Sequence, residues 1–191
     1  MSETEKAALC AGDVGWTSEL FSSRPDWNKL AKMKYHVLTD EELHFINNEV
    51  ETLCDMIDTW EISKKLRIPE SIWAFLREKL FFSMIIPKEY GGLEFSAMAQ
   101  SAVISKVASK SASVATVVCV PNSLGPGELL LHHGTETQKQ YYLPRLAKGE
   151  ELPCFALTSP TAGSDAASIH DSGVICQAEF EGKSQLCIKL N

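Results

Sequence analysis

The chain has 191 residues, of which 45% are hydrophobic and 23% charged, and its formal net charge is −7 at pH 7. That length holds one domain and the start of another, in an ordinary globular composition. An acidic balance with no basic, aromatic-interleaved stripe argues against a nucleic-acid binder, though a few local donors could still hold a small anion.

Met1 to Ala11 is acidic and lacks the apolar core of a signal peptide. No stretch approaches the ~20 apolar residues of a membrane-spanning helix. The sequence therefore predicts a soluble, cytoplasmic protein. Residues 1–38 read as an irregular segment with Trp16, Leu20, Phe21 and Trp27 as isolated anchors.

Thr39-Asp40-Glu41-Glu42 has the form of a capping box. Leu43, Ile46, Val50, Leu53, Ile57 and Trp60 follow at three- and four-residue steps, which predicts one long amphipathic helix. A second helix is predicted from Pro69, a favoured first-turn residue, through Trp73 and Leu76 to about Leu80. The apolar run Phe81 to Ile86 is closed by Pro87, and Gly91-Gly92 marks a tight turn. Ser96 to Lys110, rich in Ala and Ser, predicts a helix in close contact with its neighbours. Ser113 to Val120 suits a strand or a helix and is read as helical from its surroundings.

Leu129 to His132 predicts a helix ended by Gly134. Thr135-Glu136-Thr137-Gln138 is a second capping box, with Tyr141, Tyr142 and Leu146 as its helix's apolar side and Lys148-Gly149 as its close. Beyond Gly149 the pattern turns extended. Val174 to Phe180 and Gln185 to Leu190 flank Glu181-Gly182-Lys183-Ser184 as a hairpin. The predicted organisation is an irregular segment 1–38, a helical domain 39–150 and the start of a β-domain 151–191.

The six cysteines, Cys10, Cys54, Cys119, Cys154, Cys176 and Cys187, form no C-x-x-C pair and sit mostly in apolar runs. Buried, reduced thiols are the expectation. His132 and His133 are adjacent and cannot face one metal from the same side of a helix, so no metal site is expected.

One loop carries chemistry. Pro153 to Leu157 reads as a buried strand that opens into Thr158-Ser159-Pro160-Thr161-Ala162-Gly163-Ser164-Asp165. Its hydroxyls, exposed backbone N–H groups and glycine suit the polar edge of a flavin, or a phosphate. Taken alone, Ala162-Gly163-Ser164-Asp165 is also a common surface turn.

The loop follows an ordered series: Pro87-Lys88-Glu89-Tyr90-Gly91-Gly92-Leu93, Asn122-Ser123-Leu124-Gly125, Gly134-Thr135-Glu136-Thr137-Gln138-Lys139, and Tyr142-Leu143-Pro144-Arg145-Leu146. This set resembles the N-terminal half of the flavin-dependent acyl-CoA dehydrogenases. Phe155 to Pro160 and Asn122 to Glu128 are most similar to the long bacterial fatty-acyl-CoA dehydrogenases of β-oxidation. The similarity runs from about Trp16 to Asn191.

The resemblance implies an α+β protein: an N-terminal all-α domain, then the first strands of a middle β-domain, with a C-terminal helical bundle in the family. It implies FAD as cofactor and α,β-dehydrogenation of a fatty acyl-CoA, with electrons passed to an electron-transfer flavoprotein. By position, Phe155, Ala156, Leu157, Thr158 and Ser164 match the flavin-contacting segment. Thr158 would offer its hydroxyl and N–H to the ring's polar edge, and Ser164 would touch both cofactor and substrate.

Ser159 stands where most of the family has Glu, and Thr161 where Gly is common. The family's catalytic Glu belongs to the bundle, and no glutamate here matches it, so the base is expected beyond Asn191. The chain by itself is expected to be inactive, as part of a longer reading frame whose full-length protein is a homo-oligomer. Its C-terminal hairpin, with an unpaired edge, is expected to be poorly stable. Two other readings stand beside this one: a naturally short, non-catalytic binding or assembly module, and a flavoenzyme acting on a different substrate.

Overall fold

The computed structural model describes Cys10 and residues 15–123, 125–165, 168–180 and 182–190. The readings that fall on most of the acidic N-terminus, on Leu124 and on Glu181 lie outside these. The chain divides into two compact units, 1–39 and 40–191.

In the first unit a 3-10 turn, Gly15–Phe21, precedes helix α1, Trp27–Ala31. This part is more regular than expected. Asp26 caps α1 by accepting from the Lys29 N–H at 3.0 Å, and its own carbonyl accepts from Trp16 Nε1 at 2.8 Å. The Trp16 and Trp27 rings sit 5.2 Å apart, while Leu20 and Phe21 stay exposed.

The second unit is mostly helical: α2 Asp40–Asn47, α3 Glu49–Met56, α4 Thr59–Lys65, α5 Glu70–Glu78, α6 Ala97–Lys110, α7 Ala112–Cys119, α8 Pro126–His133 and α9 Glu136–Ala147. The single long helix expected over 43–60 is thus three short ones. Asn48 leaves helical geometry, and its side chain donates to the His44 carbonyl at 2.7 Å, competing with the backbone ladder. Asp58 then starts α4 as an N-cap, accepting from the Glu61 N–H at 2.9 Å. Val50, Leu53 and Ile57 are buried as expected, but Trp60 is 72% exposed and Phe45 replaces Leu43 in the core.

Glu42 is 3% exposed, and its carboxylate accepts from the Ser96 N–H at 2.7 Å, tying the first turn of α2 to the start of α6. Ser96 caps α6, and Ser111 both ends α6 and caps α7. Ala99, Val103 and Val107 form the buried face of α6, which packs on α2, α3 and α7. Small side chains permit that approach. α7 is helical despite its β-branched run.

Between α5 and α6 the run Phe81 to Ile86 is buried yet neither helix nor strand. Its backbone polar groups need partners in a dry environment, and many of them have one. The Ser83, Met84 and Ile86 carbonyls accept from the N–H groups of Leu93, Phe95 and Glu94 at 3.0, 2.7 and 3.0 Å. Asn122 serves two more: its side-chain amide donates to the Phe81 carbonyl at 2.6 Å and accepts from the Ile85 N–H at 3.3 Å. Gly92 is required here, because a Cβ would lie 2.0 Å from the Ile86 carbonyl oxygen.

The capping box at Thr135 is present in full, with side chain and backbone bonded reciprocally to Gln138. Its helix buries Leu143, Leu146 and Ala147, whereas the expected apolar residues Tyr141 and Tyr142 remain largely exposed. Gly134 ends α8 at an ordinary φ of −71°; a Cβ there would meet the Leu130 carbonyl oxygen at 2.6 Å. Strands β1, Gly173–Phe180, and β2, Lys183–Leu190, pair antiparallel with Phe180 opposite Lys183. The hairpin is therefore tighter than the four-residue connection expected, with Gly182 at φ +72° in the turn. The fold is an N-terminal helical domain followed by two antiparallel strands. No described helix is long and apolar enough to cross a membrane.

Candidate functional site

The loop between α9 and β1 is rooted on the helical body. Gly149 turns the chain at φ +65°, and a Cβ there would lie 2.7 Å from the Phe82 ring. Arg77 Nε donates to the Gly149 carbonyl at 3.3 Å, and Arg145 Nε donates to the Glu151 carboxylate at 2.7 Å. That bond holds the Arg145 guanidinium proton more tightly than usual, and the guanidinium also lies 4.9 Å from the Tyr141 ring centroid.

Beyond this root, residues 152–159 have no regular secondary structure. The buried strand expected at Pro153 to Leu157 is not formed: Phe155 is 59% and Leu157 55% exposed. An apolar run becomes a strand only beside a strand that takes its N–H and C=O groups, and among the described residues the sheet is β1 paired with β2.

Phe155 and Leu152 instead border a cavity of about 430 Å³ whose other walls include Trp73, Val117, Val120 and Pro121. The lining is mainly apolar. Ala156, Leu157 and Thr158 line a second cavity of about 500 Å³, closed on its far side by Ile169, Gly173 and Leu190. The structure thus joins three of the five sequence-predicted residues in one wall and turns Phe155 to another. Ser164 lies exposed past the next turn, outside the residues lining either cavity.

That turn is Ser159 to Ala162. The Ser159 N–H donates to the Ala162 carbonyl at 3.0 Å, and Ser159 Oγ accepts from the Ala162 N–H at 3.2 Å. Thr161 sits there without a positive φ, so a β-branched residue is not strained at this position. Farther on, Ser168 Oγ donates to Asp165 at 2.5 Å.

Two observations bear on whether the loop fits a flat polar ligand such as FAD. The Thr158 hydroxyl has no hydrogen-bond partner among the described residues, so it is available to a ligand. Gly163 has neither a positive φ nor any atom within 4 Å of a Cβ placed on it, so neither turn geometry nor packing requires glycine. The space left bare there admits close approach of a ligand. Ala156, Leu157 and Thr158 are the residues that could hold the polar edge of such a ligand; Phe155 and Ser164 are not gathered with them.

Sequence reasoning missed Asn122, Arg77 and Arg145 as positioning residues. Asn122 stood in a quoted motif, but beside the local Val118 carbonyl its partners lie 37 and 41 residues away and leave no local pattern. The buried-thiol expectation is also corrected. Cys10 and Cys154 are exposed, while Cys54, Cys119, Cys176 and Cys187 are half-buried, and all six are free. Partial burial pushes the Cys54 thiol up from its ordinary value.

Residues 35–150 match the family described as acyl-CoA dehydrogenase, N-terminal domain. The chain belongs to the acyl-CoA dehydrogenase family. It is 32% identical over 144 residues to the mitochondrial very long-chain specific acyl-CoA dehydrogenase of Homo sapiens, covering 72% of this chain and 22% of that protein. It is 34% identical over 125 residues to the 3-(aryl)acrylate reductase of Clostridium sporogenes, covering 65% and 32%. Butyryl-CoA dehydrogenase from Megasphaera elsdenii shares the fold, with a TM-score of 0.63 at 20% identity over 81% of this chain and 40% of that one. This acyl-CoA dehydrogenase chain therefore spans about a fifth to a third of the length of these curated relatives.

Proposed function

We propose that this chain supplies the N-terminal part of an FAD-dependent acyl-CoA dehydrogenase that removes hydrogen across the α,β-bond of a fatty acyl-CoA in β-oxidation. Family membership supports the reaction class. The observation that supports the site is that Ala156, Leu157 and Thr158 together line the 500 Å³ cavity. In this reading 39–150 is the helical domain and 151–191 opens the β-domain.

FAD, when bound, supplies the hydride acceptor. Thr158 would donate its hydroxyl hydrogen to the polar edge of the ring, and the N–H groups of Leu157 and Thr158 would favour negative charge there. Ala156 would flank that edge, while Phe155 and Ser164, which match the family's flavin segment by position, stand outside that cavity here and would have to turn toward the cofactor to reach it. The mainly apolar cavity bordered by Phe155 and Trp73 would suit a hydrocarbon chain. No glutamate of these residues corresponds to the family's base, so the 191-residue chain alone is expected to be catalytically silent. The proposal extends to an electron-transfer flavoprotein as electron acceptor, a homo-oligomeric full-length protein and a cytoplasmic location.

FAD titrated into the isotope-labelled chain is expected to shift the amide signals of residues 155–159, 161–164 and 173. Thr158→Val removes one donor and is expected to weaken binding about tenfold, the equivalent of ~1.4 kcal/mol for one hydrogen bond. Shifts confined to the helical body, or equal affinity for Thr158→Val and the parent chain, would remove this loop from the site. Recovery of the natural protein in an organelle or membrane pellet would overturn the location.

A further inference from the structure

Two cysteines that play no part in the site above are brought together by the hairpin register. Cys176 of β1 lies directly opposite Cys187 of β2. Both thiols are free, and each is the one residue of its strand that is not exposed. Directly opposed residues in an antiparallel pair have Cα atoms about 4.5 or 5.5 Å apart, according to their hydrogen-bond class. Both distances fall inside the ~4.4–6.8 Å range that a disulfide spans. Their Cβ atoms start about 4.5–5.5 Å apart, whereas a disulfide holds them at about 3.5–4.5 Å. Closing the bond draws the strands together, and a strained, accessible disulfide is one that thiols readily reduce.

We propose that Cys176 and Cys187 form a reversible redox site, oxidised to an intrachain cross-strand disulfide by a peroxide or by a small-molecule disulfide such as oxidised glutathione. With hydrogen peroxide, one thiolate attacks a peroxide oxygen, breaking the O–O bond to give a sulfenic acid and hydroxide. The second thiolate attacks that sulfur and expels the remaining oxygen as hydroxide. The two thiol protons convert both hydroxides to water. The two sulfurs together lose two electrons, and the peroxide gains them. With oxidised glutathione, the same two electrons yield two glutathione thiols.

The pair sits three register positions from Gly173 and Leu190, which wall the cavity beside Thr158. The bond therefore locks the two strands that form that wall. This consequence is geometric and does not depend on what the cavity binds.

The test is to treat the reduced chain with a stoichiometric amount of hydrogen peroxide and block the remaining thiols with iodoacetamide. Cleavage at Lys, Glu and Asp, which parts Cys154 from Cys176 at Asp165 and Asp171, then peptide mass spectrometry, maps the products. The expected result is the loss of two alkylatable thiols per chain and a peptide pair joining Cys176 to Cys187, reversed by dithiothreitol. Cys154→Ser retains that product, and Cys176→Ser or Cys187→Ser abolishes it. Hydrogen exchange along β1 and β2 slows in the oxidised chain. A main product through Cys154, a disulfide between chains, or full alkylation of both Cys176 and Cys187 overturns the proposal. Mapping of the unsubstituted chain decides the matter even where a variant fails to fold.

Discussion

The helical body from Asp40 to Gly149 and the hairpin after it are both rich in apolar residues, but they are held in different ways. In the body, Leu53, Leu76, Phe81, Met84 and Leu143 are fully buried, and Asp58, Ser96, Ser111 and Thr135 close helix ends with their own side chains. In the hairpin, Ile175, Leu186, Ile188 and Leu190 stand on one face, all exposed, and the ladder between β1 and β2 supplies the order. An isolated two-stranded hairpin is marginal in water. Apolar composition alone does not make a core; a core needs a second surface to close on.

Substitutions can break that contrast. The largest effect is expected at Phe81, whose ring packs 4.9 Å from Phe45: Phe81→Ala should cost about 3–5 kcal/mol in urea unfolding. A loss comparable to that of a surface change would mean that the buried run does not organise the body. Asn122→Ala leaves the Phe81 carbonyl and the Ile85 N–H unpaired in a dry segment. It should cost ~2 kcal/mol, and Asn122→Asp, which lacks the donors, should not restore it. The smallest change is expected at Ile188, which is 65% exposed: Ile188→Ala should stay within about 0.5 kcal/mol. A larger cost there would show that the hairpin face is already covered in solution, for instance by a second copy.

The loop lies between these two regimes. Gly149, Arg77 and Arg145 fasten its start to the body, while Gly173 begins the strand that forms its far wall. Thr158 is therefore carried on a rooted segment, its side chain exposed beside the cavity. Oxidation of Cys176 and Cys187 would stiffen one side of this arrangement and leave the other unchanged.

Much of the fold was legible where the cause is local. The Thr135 capping box, the small-residue face of α6 and the paired strands after Gly173 each follow from residues a few positions apart. Reading failed where a competing local bond or a distant partner decided. Asn48 and Asp58 cut a continuous apolar stripe because their side chains capture backbone groups. Phe81 to Ile86 is neither helix nor strand because Asn122 and residues 93–95 satisfy its backbone instead. Phe155 to Leu157 has strand composition but no strand beside it.

From the sequence alone came the Thr135 cap, the hairpin strands and the family resemblance. Those depend on short-range spacing and on motif order, which a linear chain carries in full. Tertiary structure decided which apolar residues are covered, that Ala156 to Thr158 share a wall with Gly173 and Leu190, and that Cys176 faces Cys187. Each of these is set by register or by packing between segments far apart in the chain, and no local pattern records such a distance.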